Sequence, residues 1–184
     1  PGKSEDKVKN SRGVTINHVR GILKEIDGVE LVHDKGLFRI EYTDEFYCDY
    51  LACVKLLMTN NTGGNETELL GIVSRGKFLR SIDMPEFDSF KASLEQKLEP
   101  ALLIEIENCF KKEAYKIVVA LCESLFYIDP INDEALCYAI QSLTKMNMVN
   151  EAKVQYLQFC VEYMNTINRE YTYSFIDLQK RSMN

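Results

Sequence analysis

From Glu86 to Met164 apolar side chains return every three or four residues, and only Pro100 and Pro130 punctuate the series. A pattern of that period over that length confines this part of the chain to stacked α-helices, each burying one stripe against its neighbours. Phe87, Phe90, Leu94 and Leu98 form the first stripe, and Leu102, Ile106 and Phe110 continue it. Proline inside a helix costs roughly 3 kcal/mol, so a break near Glu99 or a kink there is expected. Glu113-Ala114 then opens a helix to Tyr127, ending before Asp129-Pro130. Asn132 to Met146 follows, with Ala135, Tyr138, Ala139, Ile140 and Leu143 inward, and Glu151-Ala152 opens a further helix to Met164. The two Glu-Ala openings lie 38 residues apart (151 − 113).

Helix, short turn and helix at that offset, with Pro130 at the junction and small Ala152 where helices must approach closely, resembles tetratricopeptide-repeat packing. The offset exceeds the usual period of about 34 residues, as a lengthened turn would make it.

Upstream the pattern changes. Ile16, Val19, Leu23 and Ile26 share one helical stripe within residues 14–26, while Asn17, Arg20 and Lys24 share a face open to solvent or phosphate. Asp27-Gly28 ends that helix. The runs Val29 to His33 and Leu37 to Tyr42 flank Asp34-Lys35-Gly36, a hairpin signal, because Asp and Gly tolerate the positive φ of tight turns. A helix over Phe46 to Met58 comes next, then a loop over 59–65, a short helix over Glu66 to Ser74, and an irregular connector from Arg75 to Pro85 pinned by Phe78, Leu79 and Ile82.

The 184 residues are 46% hydrophobic, enough for one good core or two small ones. No apolar run approaches the roughly 18 residues that span a bilayer, and the start has no signal-peptide pattern, so a soluble chain with no membrane partner is expected. An opening on Pro1 rather than Met suggests a processed or truncated product. Six single cysteines, none at metal-knuckle spacing, read as reduced core residues, and no metal site is expected. The net charge of −6 argues against a protein that coats nucleic acid along its length. Residues 1–24 nevertheless carry six basic against two acidic side chains, making them +4 and the remainder −10. A polyanion meets that end first.

Arg20, Asn17 and Lys24 suit phosphate or base-edge contacts, and His18 beside Arg20 can donate to a base. The same residues suit an ordinary solvated helix face. Lys35, with His33 nearby, sits where a hairpin tip would reach phosphate. Only two histidines exist, neither with a local nucleophile or carboxylate partner, and Gly63-Gly64 lacks the Lys and Ser/Thr of a phosphate loop. An enzyme is not expected, nor a cofactor.

Ile16-Asn17-His18-Val19-Arg20-Gly21-Ile22-Leu23 is similar to the recognition helix of response-regulator winged helices, and Gly36-Leu37-Phe38-Arg39-Ile40 resembles their wing strand. Asp49, Arg75-Gly76-Lys77-Phe78-Leu79, Pro85-Glu86-Phe87, Ile128-Asp129-Pro130 and the helix from Glu151-Ala152 to Tyr156 resemble, in that order, the bacterial transcriptional activator domain. That domain belongs to regulators of the Streptomyces antibiotic regulatory protein type. The resemblance spans nearly the whole chain and rests on order and spacing.

It implies a mainly α fold, with a tetratricopeptide-like bundle over 43–184 and a partial winged helix, recognition helix plus hairpin, over 1–42. It also implies a cytoplasmic transcriptional regulator whose helical domain mediates protein contacts or homodimerisation and whose N-terminal part touches DNA. Asn17 and His18 would then read bases, Arg20 would contact phosphate and Lys35 would lie near the wing tip. Lys9, Arg12, Lys24 and His33 complete the expected DNA-contacting set. The family's winged helix begins with elements this sequence lacks, and Gly21 stands where a longer residue is usual, so this chain alone is expected to bind DNA poorly. The alternative is a tetratricopeptide-like interaction scaffold that never touches DNA.

Overall fold

The computed structural model describes residues 5–58 and 66–182, with side chains for 12–58 and 67–182. The expected loop over 59–65 lies outside the described residues. The chain divides into two compact units, Pro1–Leu51 and Ala52–Asn184, with the boundary inside one helix.

In the N-terminal unit, α1 (Glu5–Leu23) leads into an antiparallel hairpin of β1 (Val29–Asp34) and β2 (Leu37–Tyr42). The helix starts upstream of the stripe that marked it and stops short of Ile26. Its end unwinds through tighter bonds, the amides of Glu25 and Ile26 donating to the carbonyls of Ile22 and Leu23 at 3.2 and 3.0 Å. Gly28, at φ +74°, then turns the chain into β1. The hairpin turns on Lys35 and Gly36 alone, both at positive φ (49° and 84°), the pairing that matches strand twist. The register pairs Leu31 with Ile40 and His33 with Phe38, so Val29, Leu31, His33, Phe38, Ile40 and Tyr42 share one face. Helix α1 packs against β1. One helix on two strands cannot close a core: none of residues 12–51 is fully buried, and Val14 and Ile22 remain 65% and 64% exposed.

The larger unit is helical: the rest of α2 (Asp49–Met58), α3 (Glu66–Val73), a 3₁₀ turn at Pro85–Phe87, α4 (Asp88–Lys111), α5 (Tyr115–Phe126), α6 (Asp133–Lys145), α7 (Val149–Ile167) and α8 (Phe175–Lys180). The chain is therefore mainly α with one small antiparallel sheet among the described residues. Helices α4, α5, α6 and α7 pack each on the next, and α6 also meets α4 and α8. That central position explains why every residue from Ala135 to Ile140 is buried. All five residues expected inward on α6 are buried, as is Ala152 on α7.

Pro100 does not break α4, which runs unbroken from Asp88 to Lys111. Pro100 sits on the exposed side while Leu94, Leu98, Leu102 and Ile106 stay buried, so core packing carries the helix past the missing donor. Phe87 and Phe90, at the start of the same stripe, remain exposed. Helix α2 begins at Asp49, not Phe46, because the Phe46 amide is held in a turn by the Thr43 carbonyl at 3.1 Å. The connector over 75–85 is irregular and held by Lys77 to Glu95 at 2.9 Å as well as by the half-buried Phe78 and Leu79. Ile82 is exposed and holds the connector by its backbone instead, its carbonyl accepting from Lys91. None of the six cysteines forms a disulfide, and four of them are buried.

Helix α8 has no periodic run to announce it. A capping box starts it, Ser174 accepting from the Asp177 amide while Asp177 accepts from the Ser174 amide at 2.9 Å. Leu178 then enters the cluster of Leu136, Cys137, Ile140 and Phe159, fully buried. Gln141 of α6 donates to the carbonyls of Leu178 and Arg181 at 3.0 and 2.8 Å. Asp133 receives both the Tyr171 hydroxyl and the Arg181 guanidinium.

Candidate nucleic-acid interface

Charge and shape in the N-terminal unit decide where a polyanion could approach. Residues 17, 20 and 24 are three and seven apart, so helix geometry aligns Asn17, Arg20 and Lys24 along about 10 Å of one face. Asn17, His18, Arg20 and Lys24 are all exposed. Arg20 closes the last turn of α1, and Lys24 lies one residue beyond it, though its amide still donates to the Arg20 carbonyl at 3.1 Å. Basic groups there also complement the negative helix C-terminus. Neither side chain forms an ion pair among the described residues, nor does Lys35. Their charge is available.

Lys35 projects from the tip, where positive φ forces it to the apex of the turn. Arg12 and His33 meet around one ring: the Arg12 guanidinium lies 5.4 Å from the Phe38 centroid, and His33 stacks on Phe38 at 4.5 Å and 24°. Stacking fixes the plane of Arg12 yet leaves its N–H edge free to donate. Lys9 belongs to the backbone of α1, but its side chain lies outside the described residues. The structure thus aligns Asn17 and Arg20 on α1 with Lys24 just past its end, gathers Arg12 and His33 at Phe38, and sets Lys35 apart at the tip.

The hairpin's other face is acidic. Glu30 pairs opposite Glu41, which Arg39 holds at 2.6 Å, and Asp34 lies on the same face. That face repels phosphate, so an approach runs along α1 and the turn. Alternation along β1 and β2 placed these carboxylates together, a signal present in the sequence once the register is known.

A concavity of about 490 Å³ lies in the larger unit, lined by Phe126, Pro130, Gln155, Gln158, Phe159 and Glu162. Another, about 300 Å³, holds Glu107, Lys111, Glu113, Lys145 and Tyr138. Burial, with nearby Glu107, pushes the Tyr138 hydroxyl up to about 12. No group of three or more His, Cys, Asp or Glu among the described residues is placed to hold a metal ion. No helix among them is long and apolar enough to cross a membrane.

Comparison with protein-family models, with curated proteins and with solved structures finds no match for this chain.

Proposed function

We propose that the chain is part of a DNA-binding transcriptional regulator, with its helix and hairpin contributing DNA contacts and its helical unit carrying protein contacts. The observation that carries this reading is the unpaired basic edge at the end of α1, Arg20 in its last turn and Lys24 just beyond, beside Asn17, backed by a hairpin that raises Lys35 from the same small unit. On this reading Asn17 and His18 meet base edges, Arg20, Lys24 and Lys35 meet phosphates, and Arg12 and His33 brace the hairpin at Phe38. The helical unit is read as a tetratricopeptide-like bundle of the bacterial transcriptional activator type, the regulator as cytoplasmic, and the chain as no enzyme. Few cations are engaged, so the affinity of these contacts alone is modest.

Fluorescence anisotropy of a labelled duplex titrated with the protein tests this. Three or four phosphate contacts predict a log–log salt slope of about −3, because each neutralised phosphate releases counterions. Binding indifferent to salt, or none at low ionic strength, contradicts it. In that case the second reading stands: an interaction scaffold without DNA contact, favoured by the 490 Å³ concavity whose Phe126 and Phe159 floor and Gln155, Gln158 and Glu162 rim suit a peptide.

A further inference from the structure

The cavity of about 300 Å³ lies wholly within the larger unit, where the turn from α4 to α5 meets the last turn of α6. One wall is aromatic. Phe110 meets Tyr115 and Tyr138 almost edge-on, at 69° and 68°, with ring centroids 5.7 and 5.2 Å apart. The rest of the lining carries charge of both signs. Lys111 is already held by Glu107, one turn before it on α4. Lys145 and Glu113 are exposed and form no ion pair among the described residues. One cation and one anion are therefore open in the same cavity. We propose that it binds a small zwitterion, an ammonium and a carboxylate on one apolar body, with the carboxylate at Lys145 and the ammonium at Glu113.

Charge selects that class. A bare anion drawn to Lys145 would meet Glu113 and Glu107, and a bare cation drawn to Glu113 would meet Lys145 and Lys111, like charges that weaken either complex. A ligand bearing both signs satisfies both open groups. The aromatic wall serves the same molecule, since ring faces attract an ammonium and bury an apolar body. Burial pushes the Tyr138 hydroxyl up to about 12, so at neutral pH it is a neutral donor and adds no third charge. The volume stands at the low end of small-molecule sites, roughly 300–1,000 Å³, which suits a body of amino-acid size. Glu113 adds a separate sign. It lies at φ +59° just past α4, while Asn147 and Asn168 take the same conformation at the ends of α6 and α7. Asparagine adopts that conformation readily and glutamate does not, and side chains held against their preference gather at ligand sites.

Apolar α-amino acids and N-methylated betaines share this chemistry. Isothermal titration and ligand-observed NMR of the full chain with L-leucine, L-phenylalanine and glycine betaine test it, with propionate and propylammonium as one-charge controls. Saturable one-site binding with a dissociation constant on the order of 1 mM or tighter is expected for at least one zwitterion, and at least about tenfold weaker binding for both controls. Saturation by leucine or phenylalanine identifies a free amino acid; saturation by betaine alone identifies a methylated ammonium. Lys145→Gln weakens binding about three- to tenfold, with the circular dichroism of the wild type because the side chain is exposed and unpaired. Glu113→Asn weakens it similarly yet raises the melting temperature, because asparagine relieves the turn, so unfolding cannot account for the loss. No saturation by any of the three zwitterions up to about 10 mM, a one-charge control that binds as tightly as they do, or affinity unchanged in both variants overturns the proposal. The measurement contains no DNA, so its outcome and that of duplex binding are separate results.

Discussion

Two glycines of the N-terminal unit have opposite reasons to be where they are. A Cβ on Gly28 would sit 2.7 Å from the Thr43 hydroxyl oxygen and 2.9 Å from the Phe46 nitrogen, at a φ of +74° that side chains resist. The Gly28 carbonyl also takes the Thr43 amide at 2.8 Å, closing the hairpin base. Gly28→Ala is expected to cost about 1–3 kcal/mol, through strain plus a clash with backbone. Gly21 lies within α1 with open space where its Cβ would go, so Gly21→Ala should stabilise the helix by up to about 1 kcal/mol. Chemical denaturation followed at the hairpin and helix reads both signs; two substitutions of the same sign would contradict the geometry.

Buried hydroxyls and thiols give the larger unit an alkaline limit. Burial pushes Tyr138 and Tyr156 up to about 12, and burial with the Asp133 carboxylate raises Tyr171 further. Burial also raises the Cys137 thiol to about 11. Each is a raised folded pKa, so the stability it contributes is full below the ordinary pKa and is lost as pH climbs through the folded value. The melting temperature should hold to about pH 9 and fall steeply between there and about 12, tracking tyrosinate absorbance. Full tyrosine titration near pH 10 without unfolding would speak against these environments.

Among the elements, α8 shows how little sequence a helix needs when its start is well capped. Hydrogen bonds from the Ser174 hydroxyl and amide hold the Asp177 carboxyl below the usual aspartate range. A depressed folded pKa contributes stability above the ordinary value, lost as pH falls through about 4 and below. Ser174→Ala should shrink that acid-sensitive step, leaving only the part the Ser174 amide supplies, and loosen α8, since the Asp177 amide loses its acceptor. An unchanged acid limb in the variant would show the cap to be idle.

The same helix marks what could be read from the chain. Helices α4 to α7 were legible because their stripes repeat over many turns, and the hairpin because Asp34-Lys35-Gly36 leaves few alternatives. Six residues from Phe175 show no period, and only Ser174 with Asp177 hints at a start. Pro100 shows the opposite failure, a local rule overridden by the burial of Leu98 and Leu102 on either side. The basic edge of α1 was legible as a helical face. The Arg12, Phe38 and His33 stack was not, since it depends on how α1 lies on the hairpin.

At the scale of the molecule, stability is unevenly spread. In the larger unit, α6 is enclosed by α4, α5, α7 and α8, while the N-terminal unit has no fully buried residue over 12–51. Native-state hydrogen exchange should therefore show α6 amides opening only with global unfolding and α1 and hairpin amides exchanging at far lower cost. Comparable protection in both units would refute this division.

The most direct test of the account is the salt slope of duplex binding for the wild type against Arg20→Ala/Lys24→Ala. Both side chains are exposed and form no ion pair among the described residues, so the substitutions remove charge without removing a packed or paired group, and circular dichroism checks that α1 persists. Loss of two phosphate contacts predicts weaker binding and a log–log slope shallower by about 2. A slope and affinity equal to the wild type would place DNA contact elsewhere or nowhere, and the proposed role of α1 would be wrong.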